Sequence, residues 1–187
     1  MDYSYYYNNA RRRYYEACSE ISNCQNRINE LKSQRQQKIN LINQLKIDIK
    51  NHEEAFEGVG QIIKSEEELN KKIADISNKT NQASVNYSGM VRSSNVTNKN
   101  LNEVYNNEMT NTKRTLNNIF TSLKRKKSDL NTKIIDLKKQ LQDAETELQN
   151  INNRIAATES DLQYWKRAKT SASYDMEYYR RKMNEAV

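Results

Sequence analysis

Proline is absent from this chain of 187 residues, and glycine occurs only at Gly58, Gly60 and Gly89. Sheet proteins and loop-borne active sites need turns, and turns draw on these two residues, so their scarcity argues against both. Long apolar runs are also missing: nothing approaches the roughly 18 apolar residues that a membrane span requires. Met1 to Tyr15 is rich in Tyr, Asn and Arg without an apolar core, so no secretory leader is expected there. The strong apolar set is thin, since 12 Leu, 15 Ile, 6 Val and 2 Phe make about 19% of the chain, against 26 Asn and 29% charged residues. With a net charge of +7 this composition suits either disorder or long paired helices. Only periodicity separates the two.

The periodicity is helical. From Tyr14 the chain can be stepped in alternating threes and fours through Ala17, Ile21, Cys24, Ile28, Leu31, Arg35, Lys38, Ile42, Leu45, Ile49, His52, Phe56, Val59 and Ile63. Twelve of these fifteen positions are apolar, Tyr, Cys or Ala, and polar residues dominate between them. Strict 3–4 spacing predicts a left-handed supercoil against another helix. The second half repeats the pattern at Leu116, Ile119, Leu123, Lys126, Leu130, Ile134, Leu137, Leu141, Ala144, Leu148, Ile151, Ile155, Thr158, Leu162 and Trp165. Its steps read 3, 4, 4, 3 from Leu123 to Leu137 once Lys126 is included, which predicts a stutter at Leu130–Ile134. Leu101, Tyr105, Met109 and Thr112 extend the stripe upstream.

Gly58 and Gly60 predict a kink at 58–60, each costing about 1 kcal/mol against Ala in a helix. A shorter helical stretch follows at Leu69, Ile73, Ile76, Thr80, Ala83 and Tyr87. Residues 77–100 are rich in Ser, Thr and Asn and hold Gly89 near the midpoint, so the turn is expected near Tyr87–Gly89. The expected fold is all-α: one elongated antiparallel helical hairpin spanning 1–187, coiled-coil-like, with arm one over about 5–86, a tip at 87–97 and arm two over about 98–185.

In such a hairpin the two tyrosine clusters meet. Tyr3, Tyr5, Tyr6, Tyr7, Tyr14 and Tyr15 lie at one terminus; Tyr164, Tyr174, Tyr178 and Tyr179 lie near the other, beside Trp165. Arg11, Arg12, Arg13, Arg180, Arg181 and Lys182 join them, with Arg12 and Arg180 among the candidate site residues. Tyr, Trp and Arg are enriched at interface hot spots, so these residues form a candidate docking surface. The competing expectation is that the tyrosines pack the open end of the hairpin.

Sites of chemistry are sparse. His52 stands at a seam position and is expected to hydrogen-bond across it. Cys18 and Cys24 are about 9 Å apart along a helix axis, too far for a disulfide, and no second His completes a metal set. They read as core residues or as thiols able to cross-link copies. No phosphate-binding loop, nucleophile elbow or H-E-x-x-H motif occurs, and Glu66, Glu67 and Glu68 are expected on a solvated helix. The chain therefore reads as a non-enzyme with no cofactor. Residues 111–187 carry 16 basic and 10 acidic groups, with Lys124-Arg125-Lys126-Lys127 the densest run. Acidic residues follow closely, so a solvated, ion-paired face is favoured over a nucleic-acid or membrane-surface stripe.

A long helix, an aromatic-x-Gly turn and a second long helix resemble the WXG-type (ESAT-six-like) superfamily of bacterial type VII secretion. Tyr87-Ser88-Gly89 stands where that family has Trp-x-Gly; Phe56-Glu57-Gly58 offers the same pattern away from the midpoint. The layout is most similar to the LXG-toxin-associated helical proteins of Gram-positive bacteria. That resemblance implies a targeting chaperone for the helical N-terminal domain of an LXG-type toxin, with a second small helical protein as a further partner. It implies a cytoplasmic location, co-secretion being the other outcome it leaves open. Tyr174, Tyr178 and Tyr179 are followed four residues later by Tyr178, Lys182 and Met183, so the family's Tyr-x-x-x-Asp/Glu export signal is not matched. The alternative function is a homo-oligomeric structural coiled coil, such as a phage, spore or cytoskeletal spacer.

Overall fold

The computed structural model describes residues 2–90 and 95–185, without the side chains of residues 84 and 86–102. Three helices account for nearly all of it: α1 (Tyr3–Lys64), α2 (Glu66–Met90) and α3 (Asn95–Glu185). The chain is an all-α antiparallel helical hairpin, with no strand among the described residues. Asp2 starts it as a cap, its carboxylate accepting the Tyr5 backbone N–H at 3.1 Å. Tyr87 and Gly89 stand in the last turn of α2, which continues to Met90. The link from α2 to α3 falls on 91–94, outside the described residues, and so does the centre of the expected tip.

The bend is displaced from where the glycines suggested. Gly58 and Gly60 are helical, and the interruption lies at Ser65. There the Ser65 N–H bonds to the Ile62 carbonyl at 3.1 Å, a tightened turn, and its hydroxyl donates to the same carbonyl at 2.7 Å. Glycine is permissive rather than obliging, whereas a serine hydroxyl competes for a helix carbonyl. Glu66, Glu67 and Glu68 then occupy the first turn of α2, where negative charge favours a helix start. The acidic triplet thus marks a helix start, a signal that the glycines masked.

Contacts group the chain into two units. The first combines Met1–Lys46 with Lys139–Val187, and the second is Ile47–Lys138. In the first unit the pairing is antiparallel: Tyr6 stacks on Tyr179, Arg13 meets Asp175 at 3.0 Å, and Lys38 meets Glu147 at 2.5 Å. The seam stripe on α1 begins at Tyr3, eleven residues before Tyr14, and runs through Tyr7 and Ala10. Leu31 is its most enclosed large side chain, at 1% exposure, in a cluster with Ile151 and Ile155. Two polar seam residues are accommodated without a break. Lys38 lays its stem along the seam and carries its ammonium to Glu147. Thr158 returns its hydroxyl to the Arg154 carbonyl at 2.8 Å.

The second unit is also an antiparallel pair, with Glu53 meeting Lys138 and Glu66 meeting Lys124, both at 2.7 Å. Here the stripe differs from expectation. On α3 Phe120 is buried while Ile119 is 48% exposed, and Lys127 rather than Lys126 is half-buried. The seam therefore runs Leu116, Phe120, Leu123, Lys127, Leu130, Ile134, Leu137 without a stutter. The stutter was a product of assigning Ile119 and Lys126 to the seam. Likewise Ile73 is buried but Leu69 and Ile76 are exposed, and Ser77 takes the half-buried place. His52 bonds to the Asp48 carbonyl of its own helix at 2.7 Å, not across the seam.

Candidate docking surface at the paired termini

The heptad that shapes the seam also sorts the tyrosines of the first unit. Tyr3, Tyr7 and Tyr14 of α1 and Trp165 and Tyr179 of α3 lie on seam positions and are half-buried. Small residues alternate with them, since Ala10, Ala17 and Ala172 are almost wholly enclosed. Alternating large and small side chains let two helices interdigitate without voids. These tyrosines pack the end of the pair, as the competing expectation held.

The others point away. At about 100° per residue, Tyr5, Arg12 and Tyr15 fall within an arc of about 80° on the side of α1 opposite its seam. Tyr164, Tyr174 and Tyr178 share an arc of similar width on one flank of α3, off its seam. Tyr174 is 70% exposed, Tyr164 64% and Tyr5 63%. Tyr6 sits at the border, exposed yet stacked on Tyr179 with ring centroids 5.4 Å apart and planes at 24°. Both sets thus contain expected site residues, one directed inward and one outward.

The cross-pair contacts are aromatic and ionic together. Lys169 places its ammonium 5.3 Å from the Tyr14 ring centroid across the pair, and within α1 the Arg11 guanidinium lies 5.7 Å from that of Tyr15. Sequence neighbours meet edge to face: Tyr5 with Tyr6, Tyr14 with Tyr15, Tyr164 with Trp165, and Tyr178 with Tyr179. Tyr7, Tyr14, Ser173, Met176, Glu177 and Arg180 line a surface groove. A hydrogen bond from Arg181, reinforced by its charge, holds the Glu177 carboxyl below the usual carboxylate range. A hydrogen bond to Glu185 raises Lys182 above the usual lysine range. Arg13 belongs to the expected arginine-rich pole, whereas Lys169 was not among the expected site residues. The signal for Lys169 was the heptad, which continues through the tyrosines to both ends.

Cys24 is buried on the seam and Cys18 is half-buried, both as thiols. Among the described residues no group of three or more His, Cys, Asp and Glu could hold a metal ion. Among them, too, no helix is long and apolar enough to cross a membrane. Two members of the basic run are engaged within the pair: Lys124 with Glu66, and Lys127 over the Phe56 ring at 4.7 Å.

A scan against protein-family models finds no match for this chain, and searches of curated proteins and of solved structures find none either.

Proposed function

We propose that this chain is a non-enzymatic helical adaptor that binds the helical N-terminal domain of an LXG-type toxin and promotes its delivery to a type VII secretion apparatus. The observation that carries the docking half of this reading is the outward face formed by Tyr164, Tyr174 and Tyr178. These rings are not consumed by the hairpin's own seam, and Arg167 and Arg181 follow the same side of α3. Large amphipathic rings beside guanidinium groups suit a partner helix laid along α3, because they bury much area at little entropic cost. The LXG half rests on the resemblance in layout: two long helical arms, with Tyr87-Ser88-Gly89 shortly before the second.

Co-expression with a toxin N-terminal domain encoded beside this chain tests the reading. A stable hetero-complex on size exclusion is expected, and Tyr174→Ala with Tyr178→Ala should release the toxin domain while leaving far-UV circular dichroism unchanged. Separate elution of the two wild-type proteins would sink it.

A further inference from the structure

The second unit carries an apolar stripe that its own seam does not use. Ala55, Ile62, Leu69, Ile76 and Ala83 follow one another at intervals of seven residues. Ala55, Ile62 and Ile76 stand immediately before the half-buried Phe56, Ile63 and Ser77, so the stripe flanks the seam on both sides of the turn at Ser65. All five are exposed; Ile62 is 52% exposed, Leu69 36% and Ile76 54%. A Cβ added at Gly58, on the outer flank between Ala55 and Ile62, would meet nothing within 4 Å.

The order of residues along the stripe is a palindrome: Ala, Ile, Leu, Ile, Ala, centred on Leu69. A twofold axis through Leu69 would bring an antiparallel second copy into register. Leu69 would then meet Leu69, Ile62 of one copy would meet Ile76 of the other, and Ala55 would meet Ala83. Twofold interfaces must be self-complementary in this way. The charges agree with the same orientation. Glu67 and Glu68 precede the centre and Lys71 and Lys72 follow it, Glu68 and Lys72 also pairing along the helix at 2.7 Å, while Glu66 is turned to Lys124. Antiparallel docking sets the acidic side of one centre against the basic side of the other, whereas parallel docking sets like charges together.

We infer that the Ala55–Ala83 stripe is a homodimer surface on which a second copy of this chain docks antiparallel, with its twofold axis at Leu69. The surface uses none of the tyrosines assigned to toxin binding, so the two readings fail separately. Leu69→Glu breaks the dimer and leaves toxin capture intact, while Tyr174→Ala with Tyr178→Ala does the reverse.

Sedimentation of the full chain at micromolar to sub-millimolar concentration should show a dimer. Leu69→Glu should shift it to monomer with helicity unchanged, and Ile135→Glu, an exposed isoleucine off the stripe, should leave it dimeric. Register is read by cysteine pairing in a Cys18→Ser, Cys24→Ala background. Leu69→Cys should form a disulfide-linked dimer on oxidation. Ile62→Cys should link only when mixed with Ile76→Cys. A wild-type chain that stays monomeric overturns the proposal, including the case in which a different protein covers the stripe. So does a dimer in which Leu69→Cys fails to link, or one in which Ile62→Cys links to itself. If Leu69→Glu proves unfolded, the cysteine series decides alone.

Discussion

The two units bury the same kind of seam but present different chemistry to solvent. Among the described residues, the large apolar side chains exposed on the first unit are tyrosines in six cases out of seven, with Leu41 the exception. On the second unit all eight are aliphatic: Ile47, Ile62, Leu69, Ile76, Val85, Val104, Ile119 and Ile135. Tyrosine keeps a polar tip and tolerates water when a partner leaves, whereas an aliphatic stripe gains mainly by being covered. The contrast teaches that one heptad scaffold exposes two surfaces of different chemistry, one amphipathic and aromatic and one aliphatic. The seams differ as well. Among the described residues, eleven of the sixteen buried apolar ones belong to the first unit, including Ala10, Ala17 and Ala172, and five to the second.

The strongest way to break this comparison is through the seams. Leu31→Ala should lower the unfolding free energy by about 2–5 kcal/mol, the usual cost of emptying a buried leucine site. Ile135→Ala, on an exposed face of the second unit, should change it by no more than about 0.5 kcal/mol. Urea melts followed by circular dichroism compare the two, and equal losses would mean that the first unit's seam is no better packed than the other's surface.

Within the second unit the glycines sharpen the picture. Gly58→Ala should stabilise the helix by about 0.5–1 kcal/mol, since the new methyl group enters open space. Gly60→Ala should gain less, because its Cβ would come within 3.1 Å of the Lys127 ammonium and displace that side chain. The same melts measure both; a larger gain at Gly60 would mean that Lys127 does not occupy that place.

Smaller still is the ionic contribution at the paired termini. A double-mutant cycle on Arg13 and Asp175, both substantially exposed, should return about 0.2–1 kcal/mol. A coupling near zero would leave the aromatic contacts as the main determinant of register there. The least effect is expected at Glu177. Its carboxyl is held low by Arg181, so the pairing is complete above the ordinary carboxylate range and is lost as pH falls through the depressed value. An NMR titration should place its midpoint below that of an unpaired glutamate, and Arg181→Gln should bring it back.

Much of the fold was legible beforehand, because helicity and pairing are written in composition and period. The seam residues Ile28, Leu31, Ile42, Leu45, Ile151 and Ile155 were read from spacing alone and are buried. The meeting of the tyrosine clusters was legible for the same reason: an antiparallel pair brings its termini together. What spacing did not tell was which tyrosines turn inward, since that required the heptad to be followed to Tyr3 and Tyr179.

Composition and period by themselves therefore determined two long helices, their antiparallel pairing and the path of most of the seam. The absence of proline and the scarcity of glycine left the backbone little else to do. The tertiary structure decided between adjacent apolar stripes: Phe120 over Ile119, Ser77 over Ile76, and Ser65 over Gly58 and Gly60 as the place where the helix yields. The physical reason is that a helix can carry apolar residues one position apart. Periodicity is satisfied by either choice, and only the partner helix's position selects which side chain is covered and which is left for another molecule.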